Sequence, residues 1–302
     1  MTKVNAWLNA ARLRTLPLSI SGILVGTAIA AFHGVTNPFV FILALCTTIG
    51  LQITSNFAND YGDGVKGTDN DERVGPKRAL QSGILTAAEL KRGIYISIGI
   101  NIVLIVLLIV TSFGLKQIIY TTLFLILGAF AIWAAIKYTV GKSAYGYNGL
   151  GDIFVFVFFG LVSVLGTMFL YLKAIYIIDF LPAIAIGLLS VGVLNLNNMR
   201  DIKSDKSVYK NTLVVKLGLQ KARMYHYTLL SISFLCLFCY LFTTNGSLIR
   251  YVSLIGFVPV FIHMRKVAVT NNEAELDPEL KKLALSTFFT ALLFFISYYY
   301  FL

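Results

Sequence analysis

Residues 38–69 read PFVFILALCTTIGLQITSNFANDYGDGVKGTD, and they combine the two features on which the fold depends. The stretch begins with an apolar run of about 20 residues, the length of helix that crosses the ~30 Å hydrocarbon core of a bilayer. The run ends in Asn56, Asn59, Asp60 and Asp63. Such side chains are costly near hydrocarbon and often mark functional sites. The stretch therefore predicts a transmembrane helix with a polar site at one end.

Apolar runs of this kind recur along the whole chain of 302 residues, of which 57% are hydrophobic and only 13% are charged. Soluble domains usually carry about 25% charged residues, so the composition indicates lipid as the solvent. We predict an all-α, polytopic integral membrane protein with a single transmembrane domain over residues 1–302. The predicted spans cover residues 17–33, 38–58, 94–113, 117–137, 152–172, 177–197, 226–244, 248–264 and 283–302. A short amphipathic helix over residues 4–16 is expected to lie on the membrane before them.

The basic residues are distributed unequally between the two sides of the predicted membrane. Of the 25 Lys and Arg residues, only Lys116, Lys173 and Arg250 fall on the side with the short connections. By the positive-inside rule the N-terminus and the long loops are cytoplasmic, and nine spans leave the C-terminus outside. This asymmetry explains the net charge of +11 without nucleic acid as a partner.

Two polar clusters share one spacing, and they close the second and the sixth predicted spans. Residues at positions i and i+4 lie on one face of a helix, so each cluster offers a strip of oxygen atoms. The residues with this spacing are Asn56, Asp60 and Asp63 in cluster one, and Asn197, Asp201 and Asp205 in cluster two. Because the clusters lie four spans apart, we predict a repeat of spans 1–4 and 5–8, with a ninth span appended.

Carboxylate and amide oxygens in two facing sets are suited to Mg2+, which takes one or two carboxylates together with substrate phosphates. Basic side chains that bind phosphate oxygens are expected beside them. Such residues follow both clusters: Lys66, Arg73, Lys77, Arg78, Arg200, Lys203, Lys206 and Lys210. The sequence therefore predicts a Mg2+ and diphosphate site.

A third polar stretch, Tyr145–Asp152, leads into the fifth span. Asp152 lies at a predicted helix N-terminus, where the helix dipole favours a carboxylate. Two interpretations stay open: a simple helix cap, or a contact to an acceptor substrate.

The chain resembles the UbiA superfamily of membrane prenyltransferases, which has nine helices and two Asp-rich cytoplasmic loops. Asn59–Asp69 is similar to the branch of this superfamily that prenylates 1,4-dihydroxy-2-naphthoate in menaquinone synthesis. Three further stretches are similar to that branch: Arg14–Pro17, Gly75–Gly83 and Gly149–Asp152. The resemblance covers nearly the whole chain, and it implies a multi-pass protein of the bacterial cell (inner) membrane, surrounded by lipid.

The resemblance also implies a reaction, in which a polyprenyl group passes from polyprenyl diphosphate to 1,4-dihydroxy-2-naphthoate with loss of CO2 and with Mg2+ as cofactor. It implies catalytic roles for Asp60, Asp63, Asp201 and Asp205. Together with Asn56, these carboxylates are the implied Mg2+ ligands. The implied substrate-binding residues are Asn56, Asn59, Lys66, Arg78, Asp152, Asn197 and Lys203.

Cluster one departs from the strict pattern NxxxDxxxD, because Gly64 stands where the last Asp is expected. Cluster two satisfies the pattern. Either Asp63 or Asp69 then completes the metal ligands of cluster one, and the sequence leaves this choice open.

Other functions are also compatible with parts of the sequence. A CDP-alcohol phosphotransferase shares the start of its motif with Asp60–Gly64, but it needs two further Asp residues on the next helix, and the predicted third span has none. A cation transporter is expected to carry its acidic residues near the bilayer midplane, whereas these lie at the rim. Within the superfamily, 4-hydroxybenzoate, haem or a chlorophyll precursor are alternative acceptors.

Overall fold

The computed structural model describes residues 2–68, 78–114, 116–244, 247–270 and 272–300. Within these ranges nine helices are long and apolar enough to cross a membrane, which confirms the predicted number of spans. The chain is an all-helical, multi-pass membrane protein. Numbered in chain order, spans 1 to 9 are Leu16–Phe32, Pro38–Val65, Ala87–Phe113, Ile118–Lys137, Gly151–Leu172, Phe180–Arg200, Leu219–Thr243, Leu248–Val269 and Asp277–Tyr299.

A short N-terminal helix, Lys3–Ala11, precedes span 1 at the position where an interfacial helix is expected. The Thr2 side chain caps its first turn by accepting a hydrogen bond from the Asn5 amide. Arg12 then adopts a left-handed conformation with φ 49° and turns the chain into span 1. The helix packs on the end of span 2 through Trp7 and Phe57, whose ring centroids are 5.2 Å apart.

The largest buried core joins spans 1, 5, 6, 7, 8 and 9. Spans 1 and 5 approach closely because span 1 carries glycine at the contact. A Cβ atom at Gly22 would lie 2.2 Å from the Ser163 hydroxyl oxygen, and one at Gly26 would lie 2.4 Å from the Val164 carbonyl oxygen. Small residues at such positions are typical of packed membrane helices. The middle of span 5, Phe156–Gly166, is a π-helix, which lies against this contact.

Span 2 is longer than a membrane requires, and its excess length positions cluster one. Its 28 residues extend for about 42 Å at 1.5 Å per residue, against a hydrocarbon core of ~30 Å. Its last turns, which contain Asp60 and Asp63, are therefore still helical where the apolar part of the span has ended. Span 6 ends at Arg200, and the short helix Ile202–Ser207 follows it.

Candidate active site

A small pocket between the ends of spans 2 and 6 brings the two clusters together. It contains oxygen ligands from both clusters and two basic side chains, and it is lined by Asp63, Thr68, Arg78, Asn197, Asp201, Ser204, Asp205 and Lys210. The cavity has a volume of about 20 Å³. Because one water needs a cavity of ~10–15 Å³, this space fits a small ion or a water, and a diphosphate enters only if side chains move apart.

Asp63 is the pocket carboxylate of cluster one, and it is buried. It pairs with the Arg78 guanidinium, and the Tyr147 hydroxyl donates a hydrogen bond to its Oδ1 at 2.7 Å. The Arg78 guanidinium also donates to the Asn59 carbonyl oxygen at 3.0 Å. These contacts tie Arg78, in the loop before span 3, to the end of span 2.

Asp60 is buried beside the pocket, and it does not line it. Its Oδ2 accepts a hydrogen bond from the Ala79 amide at 3.2 Å, and its Oδ1 has no hydrogen-bond partner among the described residues. Asp60 therefore contacts Ala79, the residue that follows Arg78 in the chain.

Two glycines of cluster one allow close packing of span 2. A Cβ atom at Gly64 would lie 2.4 Å from Leu80 Cδ2, and one at Gly62 would lie 2.6 Å from the Thr139 hydroxyl oxygen. An aspartate at position 64 would therefore require the Leu80 side chain to shift. Of the two candidates to replace it, Asp63 lines the pocket and Asp69 lies outside the described residues.

In cluster two, Asp201 is held by its neighbour Arg200. The guanidinium donates from Nε and Nη2 to the two Asp201 carboxylate oxygens, at 2.8 and 2.6 Å. Arg200 also donates to Asn197 Oδ1 at 3.0 Å and to the Asp277 carboxylate at the start of span 9. This buried guanidinium therefore joins spans 6 and 9 behind the pocket.

Asp205 has one partner and one unused oxygen atom. Its Oδ1 lies 3.2 Å from Lys210 Nζ, while its buried Oδ2 accepts no hydrogen bond from the described residues. Burial raises the pKa of Asp205 to about 6. Lys210 opposes this increase in pKa, whereas Asp201 and Asp63 add to it, so the pocket already holds several negative charges close together.

Tyr147, in the stretch before span 5, contacts two residues that line the pocket, Asp63 and Thr68. Its hydroxyl lies 2.6 Å from the Thr68 hydroxyl, and Lys66 Nζ lies 3.9 Å from its ring centroid. Burial and the nearby Asp63 raise the pKa of Tyr147, so its hydroxyl stays protonated as a donor to that carboxylate. Lys66 also donates to the Thr139 carbonyl oxygen at 2.7 Å, and partial burial lowers its pKa.

Besides Asp60 and Lys66, four predicted site residues do not line the pocket. The Asn56 amide donates to the Ala11 carbonyl oxygen at 2.8 Å, because the segment between the N-terminal helix and span 1 covers it. The Asn59 amide oxygen accepts from the Thr139 hydroxyl at 3.2 Å, and the exposed Lys203 pairs with Glu273 at 3.0 Å. Asp152 is buried and accepts a hydrogen bond of 3.4 Å from the Tyr225 hydroxyl. Their functional roles stay predictions.

Sequence reasoning named Lys210 among the basic residues expected beside cluster two, without choosing it over the others. It assigned no role to Tyr147. Tyr147 lies 84 residues from Asp63 in the chain, and only its place in the third polar stretch pointed to it. Thr68 and Ser204 had no signal of their own.

The pocket has the chemistry of a site for a hard cation, although its carboxylates are paired with basic side chains. Within the described ranges, no group of three or more His, Cys, Asp or Glu side chains is close enough to hold a metal ion by itself. Mg2+ does not require such a group, because it usually keeps several waters and takes one or two carboxylates plus substrate phosphates. The unused Asp205 Oδ2 and the amide oxygen of Asn197 fit that pattern.

The model of the UbiA prenyltransferase family matches residues 19–299. A 1,4-dihydroxy-2-naphthoate octaprenyltransferase of Escherichia coli (strain K12) is 42% identical over 299 residues, which cover 97% of this chain and 95% of that protein.

Two solved structures share the fold. A UbiA homologue from Aeropyrum pernix K1, in its apo form, superposes with a TM-score of 0.70 at 15% identity and covers 92% of this chain and 96% of its own. A UbiA homologue from Archaeoglobus fulgidus bound to DMAPP and Mg2+ gives a TM-score of 0.61 at 15% identity, over 96% of this chain and 99% of its own.

Proposed function

The chain belongs to the UbiA prenyltransferase family, and on that premise we propose that it transfers a polyprenyl group from polyprenyl diphosphate to 1,4-dihydroxy-2-naphthoate. The product is a demethylmenaquinol, the reaction releases CO2 and diphosphate, and the pathway is menaquinone biosynthesis. The observation that carries the proposal is the pocket in which carboxylates of both clusters meet Arg78 and Lys210. The relative from Escherichia coli that carries the name of this activity supports the choice of acceptor.

The basic side chains of the pocket bind the diphosphate. Arg78 offers a planar fork that matches two phosphate oxygens, and Lys210 and Lys66 act as point charges. In the structure described here, Arg78 and Lys210 are paired with Asp63 and Asp205. When the donor enters, these two cations exchange a carboxylate for a phosphate, and the pocket opens by the same movement.

The exchange releases Asp63 and Asp205, while Asp201 stays paired with Arg200, and the oxygen atoms of this set fit Mg2+. Asp63, Asp201, Asp205 and the Asn197 amide oxygen would hold it, and Asp60, beside the pocket, supports them. When bound, the ion offsets charge on the diphosphate and assists its departure as a leaving group. The DMAPP- and Mg2+-bound homologue from Archaeoglobus fulgidus supports this choice of cofactor.

The transfer step needs no further reactant. The C1–O bond of the donor breaks with both electrons going to the diphosphate, which leaves an allylic cation. The ring carbon that bears the carboxylate attacks this cation, and the bond to the carboxyl group then breaks with release of CO2. The Tyr147 ring has the Lys66 ammonium over its face at 3.9 Å, and this contact holds a basic side chain beside the pocket.

The acceptor is bound by polar groups at the start of span 5. Asp152 is buried next to the Tyr225 hydroxyl, and the pair offers an acceptor and a donor to the hydroxyl groups of a naphthoate. We further propose that this end of the bundle and the N-terminus face the cytoplasm of a bacterial inner membrane, with the C-terminus outside. The distribution of Lys and Arg supports this orientation.

The test of the function is product formation. Purified protein in lipid vesicles receives Mg2+, a polyprenyl diphosphate, and either 1,4-dihydroxy-2-naphthoate or 4-hydroxybenzoate, and products are identified by mass. We expect a prenylated product that has lost CO2, from the naphthoate only, and no product in EDTA until Mg2+ is restored. Product from 4-hydroxybenzoate alone would keep the chemistry and refute the acceptor. No product from either would refute the proposal.

A further inference from the structure

An apolar groove lies on the lipid-facing side of the bundle, at the same end as the active site. It is bounded by the N-terminal helix, the last part of span 2 and the first turns of span 3, and its volume is about 490 Å³. Binding sites for small molecules are usually ~300–1,000 Å³. Its main lining residues are Trp7, Ile53, Phe57, Arg92, Ile96 and Ile100. The groove shares no lining residue with the active-site pocket.

The walls of the groove are shaped for a hydrocarbon chain. A Cβ atom at Gly93 would lie 2.6 Å from the Trp7 ring, so the glycine lets the indole lie across span 3. On the other wall, Ile96 and Ile100 are 59% and 54% exposed. Because span 3 crosses the membrane, these exposed apolar side chains contact acyl chains rather than water.

The mouth of the groove carries positive charge that the protein does not neutralise within its described part. Glu89 is the acidic residue there, and it pairs with Lys3 at 2.7 Å. Arg92 is exposed and has no hydrogen bond or ion pair with the described residues. The neighbouring Lys91 does not line the groove, but it is also exposed, and its Nζ lies 6.0 Å from the Tyr95 ring centroid. A negative headgroup above an apolar tail complements both the mouth and the walls.

We propose that this groove binds one anionic phospholipid, with its phosphate on Arg92 and an acyl chain between Trp7 and Ile96. A free phosphate would leave the apolar walls empty, and a neutral lipid would leave the charge at the mouth without a partner. The bound lipid braces the N-terminal helix against the last turns of span 2, where Phe57 precedes cluster one. It therefore occupies a specific site, unlike the lipid that surrounds any membrane protein.

Fluorescence of Trp7 tests this site. The chain has two tryptophans, so Trp133→Phe leaves Trp7 as the only one. The full-length variant is placed in phosphatidylcholine vesicles that contain a low fraction of phosphatidylglycerol with brominated acyl chains, which quench a tryptophan they touch. We expect quenching well above that from the same fraction of brominated phosphatidylcholine, and saturation as the anionic fraction rises.

Charge at the mouth should control this binding. Arg92→Ala should weaken it about fivefold, as expected when one basic residue is removed from an anionic surface. Arg92→Lys should keep most of the lipid affinity. Lys221→Ala removes an exposed basic residue remote from the groove, and as a control it should leave lipid binding unchanged. Equal quenching by the two brominated lipids would overturn the proposal. So would displacement of the lipid by polyprenyl diphosphate, which would assign the groove to the donor's tail.

Discussion

Replacement of Asp205 by asparagine should separate stability from activity. Burial raises the pKa of Asp205 from 3.8 to about 6, so at pH 7 the folded protein holds a charge that its surroundings disfavour. A carboxyl whose pKa is higher in the folded state destabilises the fold above both pKa values, and this cost disappears below about pH 4. About two pKa units correspond to about 3 kcal/mol, which sets the upper bound of the effect. Asp205→Asn keeps the shape and removes the charge.

We therefore expect Asp205→Asn to melt at the same temperature as the wild type in EDTA at pH 7, or a few degrees above it. Turnover should fall by about 100-fold or more, since even the loss of an outer-shell partner of a metal costs 10–100-fold. Added Mg2+ with donor should raise the melting temperature of the wild type only. Asp179→Asn is the matched control, because Asp179 is also buried but lies outside the pocket. Loss of stability together with activity, or retained turnover, would refute the reasoning.

Three further predictions concern the pocket and the orientation. Arg78→Lys keeps the charge but loses the bidentate fork, so the KM for polyprenyl diphosphate should rise about tenfold, which corresponds to ~1.4 kcal/mol; an unchanged KM in steady-state assays would contradict a phosphate contact. Lys210→Met should weaken donor binding about tenfold in calorimetry. Lys203→Met should change donor binding little, because the Lys203 side chain is 79% exposed and pairs with Glu273. A larger loss of binding in Lys203→Met than in Lys210→Met would restore the phosphate role predicted for Lys203. A reporter fused after Leu302 should be accessible from outside the cell, and a cytoplasmic signal would contradict the orientation.

The sequence was sufficient for the membrane architecture because lipid imposes a simple rule: each crossing needs about 20 apolar residues. It was less informative about helix ends. Span 3 begins at Ala87, well before the predicted residue 94, with a capping box formed by Thr86 and Glu89. Its first turns contain Lys91 and Arg92. These residues are helical, but a span predicted from apolar residues leaves them out because they are charged. Spans 7 and 9 begin early for the same reason, with charged residues in their first turns.

The candidate site shows a similar limit. Helical spacing predicted that Asn56, Asp60 and Asp63 lie on one face of span 2. It does not determine which other part of the chain packs against each of these residues. Asn56 lies about 10 Å deeper than Asp63 along span 2, and the N-terminal segment satisfies its amide there. The contact of Tyr147 with Asp63 depends on packing between distant parts of the chain, which spacing within one helix cannot indicate.

The central claim is that the two clusters act on one Mg2+–diphosphate ligand, and a double-mutant cycle tests it directly. Binding of an unreactive polyprenyl thiodiphosphate in the presence of Mg2+ is measured for wild type, Asp63→Asn, Asp201→Asn and the double variant. If the two carboxylates share one ligand, their effects should be non-additive by about 0.5–3 kcal/mol, the range for residues in one network. Effects that add within about 0.5 kcal/mol would mean that the clusters act independently, and they would contradict the account.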